Sequence, residues 1–132
     1  MDTTVAAVGV DMRLRAAGSD HTSNSYAFAR ANVTEAAAFG GASSGGSLAN
    51  AWNLAPFSGT YSSSHIVEIF QPKSSSLQTN FLSQSFYFDS VSNYRASASG
   101  GTTSVTTSFD ALTIYIGSGT MTGSYSVYGF NK

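Results

Sequence analysis

The residues of this chain best suited to chemistry are two histidines, seven carboxylates and a large number of serines. Asp20 and His21 stand side by side in "GSDHTSNS", a dense cluster of turn formers. A metal site or an acid–base pair there needs further ligands, and no second His or carboxylate follows at ligand spacing, so the pair reads as a solvated turn with Asp20 capping backbone amides. His65 and Glu68 lie three apart in "HIVEIF". On a strand, that spacing sends them to opposite faces, which rules out a shared ion or a proton relay. "GSG" at 117–119 sits in a hairpin context rather than on a strand-to-helix elbow, so it reads as turn chemistry. "GGASSGG" at 40–46 lacks the Lys-Ser/Thr ending of a phosphate loop. Asp11, Asp89 and Asp110 fall on separate elements, whereas glycosidase chemistry needs two carboxylates about 5–10 Å apart in one cleft. These residues assemble into no catalytic constellation, and the expectation is a protein that is not an enzyme, with no metal and no cofactor.

Residues suited to binding are easier to find. Arg13, Arg15 and Arg30 fall on neighbouring N-terminal strand patterns, where a planar guanidinium can pair with acidic groups of another chain. Trp52, Tyr61 and Tyr94 lie in the longer connections and offer ring faces to a glycan. The other aromatics are expected in the core.

The elements that position these residues alternate with period two. In "VGVDMRLRA", Val8, Val10, Met12 and Leu14 alternate with Gly9, Asp11, Arg13 and Arg15. "YAFARANV", "HIVEIF", "FLSQSFYF" and "VTTSFDALTIYIG" read as further strands, and "MTGSYSVYGF" as the partner of the last one in a C-terminal hairpin. Residues 34–64 read as one long connection holding Trp52, Leu54, Phe57 and Tyr61, with only local helix propensity at "EAAA". "DSVSNYRASASGGTTS" reads as a polar connection. Helical periodicity is sustained nowhere. About six or seven strands joined by Gly/Ser-rich turns predict an all-β sandwich or barrel, and the long connections fit a jelly-roll-like antiparallel β-sandwich. Residues 1–132 form a single domain in this reading, with 1–7 as an extended N-terminal arm.

Composition narrows the function further. Charged residues are 10% of the 132, against about 25% in ordinary domains. Hydrophobic residues are 42% and aromatics 13%, too apolar for a disordered chain. The net charge of −1 provides no footprint for nucleic acid, and no apolar run approaches the roughly 20 residues that span a bilayer. Cysteine is absent, which is compatible with folding in a reducing cytoplasm. The surface must therefore be built from hydroxyls, amides and backbone, and such a surface can lie on another protein with little desolvation of ions.

"VDMRLRAAGSDHTSNSYAFARANV" resembles a segment of the jelly-roll structural proteins of tailed bacteriophages, matched here by Met12-Arg13-Leu14-Arg15, Ser19-Asp20 and Ser25-Tyr26. "SSSHIVEIFQPKSSS" is similar to a strand of that family followed by a Pro and a serine run. "FDALTIYIGSGTMTGSYSVYGF" resembles its closing hairpin, with Ser126-Val127-Tyr128-Gly129 as the final tetrapeptide. The resemblance spans most of residues 8–130. It implies a virion protein, a homotrimer made in the host cytoplasm and placed on the capsid exterior as a decoration, or cement, protein that fastens neighbouring major capsid subunits. A fibre or tail-tip module that binds host receptor or glycan is the alternative. The contact residues expected in the cement reading are Arg13, Arg15 and Arg30 with Thr3, Thr4 and Val5 of the N-terminal arm. Relatives carry an additional strand ahead of the first segment, so the resemblance implies either a shorter sheet here or an edge completed by a neighbouring chain.

Overall fold

The computed structural model describes residues 8–34, 39–57, 61–89 and 93–129. The expected N-terminal arm 1–7, with Thr3, Thr4 and Val5, and the "EAAA" stretch at 35–38 lie outside the described residues. The fold is an all-β sandwich of two antiparallel sheets, with no helix among the described residues.

The first sheet is organised around β1 (Val8–Ala16). β9 (Ala111–Ile116) pairs along one side of it. Its other side is shared by β5 (Trp52–Phe57) and the two-residue β2 (Ser19–Asp20). The β1–β2 hairpin turns on Ala17 and Gly18, both at positive φ (50° and 79°), the primed-turn geometry that Gly favours and Ala adopts under strain. Between the β5 and β2 ladders the amide of Leu14 has no strand partner. The hydroxyl of Tyr26 fills that gap, accepting from Leu14 N (3.1 Å) and donating to the carbonyl of His21 (2.9 Å). Burial pushes the Tyr26 phenol above its ordinary pKa, which keeps the hydroxyl a neutral donor.

The second sheet runs β4–β3–β8–β7–β6, from β4 (Phe39–Ala49) through β3 (Tyr26–Thr34), β8 (Tyr94–Thr103) and β7 (Asn80–Phe88) to β6 (Ser64–Phe70). β1 with β9 and β3 with β8 join distant parts of the chain as a jelly roll does, while β6–β7–β8 is a simple meander. The core between the sheets holds Val10, Met12 and Leu14 of β1, Tyr26 of β3, Trp52 and Leu54 of β5, Phe81 of β7, and Phe109. Trp52 packs edge-on to Tyr26 (5.1 Å between centroids, 81°) and tilted against Phe81 (4.6 Å), and its Nε1 donates to the carbonyl of Thr102 (3.3 Å).

Three sequence expectations need correction. The connection expected at 34–64 contains two strands, β4 and β5. The polar connection expected after Asp89 contains β8, which lies between β3 and β7 and pairs with both. The expected C-terminal hairpin is not formed, because β9 pairs with β1 and residues 117–129 belong to no strand. Two of these three strands, β4 and β8, escaped notice for one reason. β4 and β8 are made largely of Ala, Gly and Ser, whose alternation carries no hydropathy contrast, and their pairing is set by the ladder and by large neighbours.

Candidate functional site

The side chains of the five-stranded sheet divide by strand phase, and the division is unusual. On β7 the inward phase is Phe81, Ser83, Ser85 and Tyr87, all buried. The outward phase is Leu82, Gln84, Phe86 and Phe88, the phase that the sequence alone makes the more apolar. β6 repeats this: Ile66 (66% exposed) and Phe70 point out, while His65, Val67 and Ile69 point in. β8 sends Ser97, Ser99 and Thr103 inward, and these are buried, while Ala96 and Ala98 are outward and exposed. The hydroxyls of Ser83 and Ser97 have no hydrogen-bond partner among the described residues. Small polar groups thus share the interior with Phe81 and Tyr87, while Ile66, Phe70, Leu82 and Phe86 stand on the exterior. A sheet that faces water on one side normally turns its polar face outward, and here large apolar side chains stand outside.

Register places the outward residues in cross-strand rows. Ser64, Phe86, Ala96 and Val33 form one row, Ile66, Gln84, Ala98 and Ala31 the next, then Glu68, Leu82, Gly100 and Ala29. The small residues of β8 make a trough between the large ones on β7 and Val33 of β3. A groove of about 560 Å³ is lined here by Val33, Ile66, Phe86, Ala96 and Ala98 among others. A second hollow, about 450 Å³, continues the trough along Ala27, Ala29, Gly100 and Thr102. Among the described outward residues of β3, β6, β7 and β8, Glu68 alone carries a charge.

One end of this face is aromatic. Tyr61 stacks on Phe88 (4.4 Å, 24°), Phe88 lies 4.6 Å from Tyr94, and Phe86 packs against both Phe88 (6.3 Å) and Tyr94 (5.9 Å). Tyr61 and Tyr94, singled out in the sequence as glycan contacts, thus sit together and half-exposed. Trp52 does not join them. It is wholly buried at the centre of the core, so it has no ring face to offer a sugar.

The arginines expected on one face are divided between the sheets. Arg13 and Arg15 share the outward phase of β1; Arg13 lies over the ring of Tyr115 (4.7 Å) and donates to the carbonyl of Asn50 (3.0 Å), and Arg15 pairs with Asp20 (3.1 Å). Arg30 stands on the second sheet, donating from Nη1 to Asn53 Oδ1, and Asn53 in turn donates to Asp11 (2.7 Å). Each guanidinium therefore already holds an intramolecular partner. Asp20 pairs with Arg15 and accepts from Thr113 (2.7 Å), and the ring of His21 packs edge-on to Tyr26 and Phe109, so both act within the fold. No three side chains of metal-ligating type gather among the described residues.

His65 gives a pH dependence. It is half-buried on the inner face of β6, its Nδ1 2.9 Å from Ser85 Oγ, and burial lowers its pKa below the ordinary value near 6.5. The unfolded chain then binds a proton at a pH where the folded chain does not. Stability is therefore full above about pH 6.5 and is lost as pH falls through the depressed folded value. Urea unfolding between pH 7.5 and 5 is expected to show that loss in the wild type, and His65→Gln is expected to flatten it; equal slopes for the two would remove His65 as the cause.

Sequence reasoning missed Ile66, Leu82, Phe86 and Val33 as surface residues. Period two divides a strand into two faces without saying which is inside, and the more apolar face is ordinarily the buried one. A usable signal was present: the opposite phase of β7 carries Ser83 and Ser85 beside Phe81 and Tyr87, enough to line a core. No family model, curated protein or solved structure matches this chain.

Proposed function

We propose that this chain is a structural protein of a tailed-phage particle, a capsid decoration or cement protein that lies on the capsid and fastens neighbouring major capsid subunits through the outer face of its five-stranded sheet. The observation that carries the reading is the apolar exterior of β6, β7, β8 and β3, with Glu68 its single charge among the described residues. Interface cores are depleted of charge and rich in aromatic side chains, and contiguous apolar surface of this kind is a docking signature. The particle and the capsid partner come from the sequence resemblance. A weak contact repeated over a symmetric shell gains by avidity, which suits an open, shallow trough of this kind.

The test is a double variant, Leu82→Asp/Phe86→Asp. Both side chains stand on the outer face, so the double variant is expected to fold, with a melting temperature lowered by the lost Phe86 ring contacts and by the new carboxylate opposite Glu68. Two carboxylates buried without partners are expected to weaken particle binding by about 100-fold or more, read as loss of the protein from pelleted particles. A folded double variant that pellets with particles as well as the wild type would contradict the reading.

The aromatic end of the face supports a second reading, a fibre or tail-tip module that binds host glycan on Tyr61 and Tyr94. Saturable glycan-array binding lost in Tyr61→Ala and Tyr94→Ala, together with a handful of copies per particle, would favour it over cement.

A further inference from the structure

We propose that the C-terminal segment 120–129 completes the first sheet of a second copy of this chain, adding a strand along the free edge of that copy's β9. This goes beyond the capsid contact and uses a different part of the molecule.

The donor is patterned as a strand and pairs with no strand among the described residues. Met121, Tyr125 and Val127 alternate with Thr122, Ser124 and Ser126. Residues 117–129 make no hydrogen bond among the described residues. Tyr125, Val127 and Tyr128 are 88%, 81% and 84% exposed, far more than such side chains keep in a finished fold. No charged residue occurs from 111 to 129, so pairing there desolvates no ion.

The acceptor is incomplete in a matching way. β9 pairs with β1 on one side, and its other edge is open among the described residues. Leu112 and Ile114 stand opposite Leu14 and Met12, on the core side of the sheet, yet they are 40% and 42% exposed where the buried residues of β1 are covered. A strand laid outside β9 would cover them and satisfy its unpaired backbone groups. An antiparallel register with Tyr125 opposite Leu112 also sets Gly123 opposite Ile114 and Met121 opposite Ile116, which brings the apolar phases of both strands onto one face.

The donor comes from another copy because, in this structure, each chain's own segment leaves β9 at Gly117-Ser118-Gly119, with Gly119 at φ +83°, and stays exposed. Every copy then carries one donor and one acceptor. Reciprocal exchange closes a dimer and cyclic exchange closes a ring, the usual low-cost route from monomer to symmetric oligomer.

The chain has no cysteine, so engineered thiols report cleanly. Leu112→Cys and Tyr125→Cys are made as separate full-length variants, refolded together and oxidised. The expected result is a disulfide-linked species of about twice the chain mass in the mixture and in neither variant alone. The double variant Leu112→Cys/Tyr125→Cys is expected to yield covalent oligomers. Closure of that double variant into a single-chain loop would overturn the proposal, since the segment would then be pairing with its own β9; so would the absence of any bond in the mixture. Sedimentation of the unmodified chain provides a second measure. It is expected to run as a dimer or small ring, and Tyr125→Pro, which removes the ladder donor opposite Leu112 from a segment without internal hydrogen bonds, is expected to run as a monomer with an unchanged core melt. A monomeric wild type, or an oligomer that survives Tyr125→Pro, would also overturn it.

Discussion

Gly101→Val is expected to leave almost no folded protein at 37 °C, while Gly100→Ala, one residue earlier, is expected to be tolerated. The two glycines are adjacent on β8 and point to opposite faces. At Gly101 a Cβ would lie 2.6 Å from Phe81 Cε1, 3.0 Å from the Cα of Phe28, and nearer still to the carbonyl oxygen of Ala27. Two of those neighbours are backbone atoms of the paired strand, which cannot move without opening the β3–β8 ladder that holds the middle of the second sheet. Overpacking of a closed core costs about 1–3 kcal/mol and more where backbone must shift, a large share of the 5–15 kcal/mol that holds a domain together. At Gly100 the closest atom is Leu82 Cδ2 at 3.0 Å, the free end of a side chain on the exposed face. Circular dichroism melts of the two variants check the contrast; equal melts would mean that the inner face of β8 is looser than its geometry indicates.

Trp52→Ala is the second large effect. The indole is wholly buried, touches Tyr26 and Phe81, and stands opposite Met12 in the β1–β5 register. Removing it leaves a void bordered by both sheets and orphans the Thr102 carbonyl that Nε1 serves. Large-to-small changes at such sites cost about 3–5 kcal/mol, so urea midpoints should fall steeply. Trp52→Phe keeps a ring in place and is expected to recover most of the stability, less about 1 kcal/mol for the lost hydrogen bond. If Trp52→Ala melts with the wild type, the sandwich core is not centred where these contacts place it.

How much of this was legible in the sequence depends on side-chain size. β1, β3, β6 and β7 announce themselves because Val, Met, Leu, Ile and Phe recur with period two. β8 is as regular in space, yet reads Tyr-Arg-Ala-Ser-Ala-Ser-Gly-Gly-Thr-Thr, with no contrast between its faces. Its small residues are what a centre strand requires when Phe81 and Trp52 crowd its inner side and Leu82 its outer side, and only the neighbours reveal that. β5 was hidden among Ser, Gly and Ala, although Trp52 and Leu54 are spaced as strand neighbours on one face. Arg13, Arg15 and Arg30 looked like a binding group because the pairing of strands into sheets is not written locally. The outer apolar face escaped for a related reason: Phe86 was expected in the core with the other aromatics, and alternation alone does not say which phase of β7 faces out. Of the three rings singled out for a glycan, Tyr61 and Tyr94 are half-exposed and Trp52 is buried, and the joining of the two tyrosines through Phe88 required the β7–β8 register.

The central claim is that the outer face of the five-stranded sheet rests on another protein of a particle. A cryo-EM map of phage particles assembled with this chain tests that proposal most directly. The account predicts a copy number near that of the capsid subunits, with Ile66, Leu82, Phe86 and Val33 packed against capsid and removed from solvent. A map in which that face looks outward into solvent, or in which the chain is missing from the particle, would contradict it.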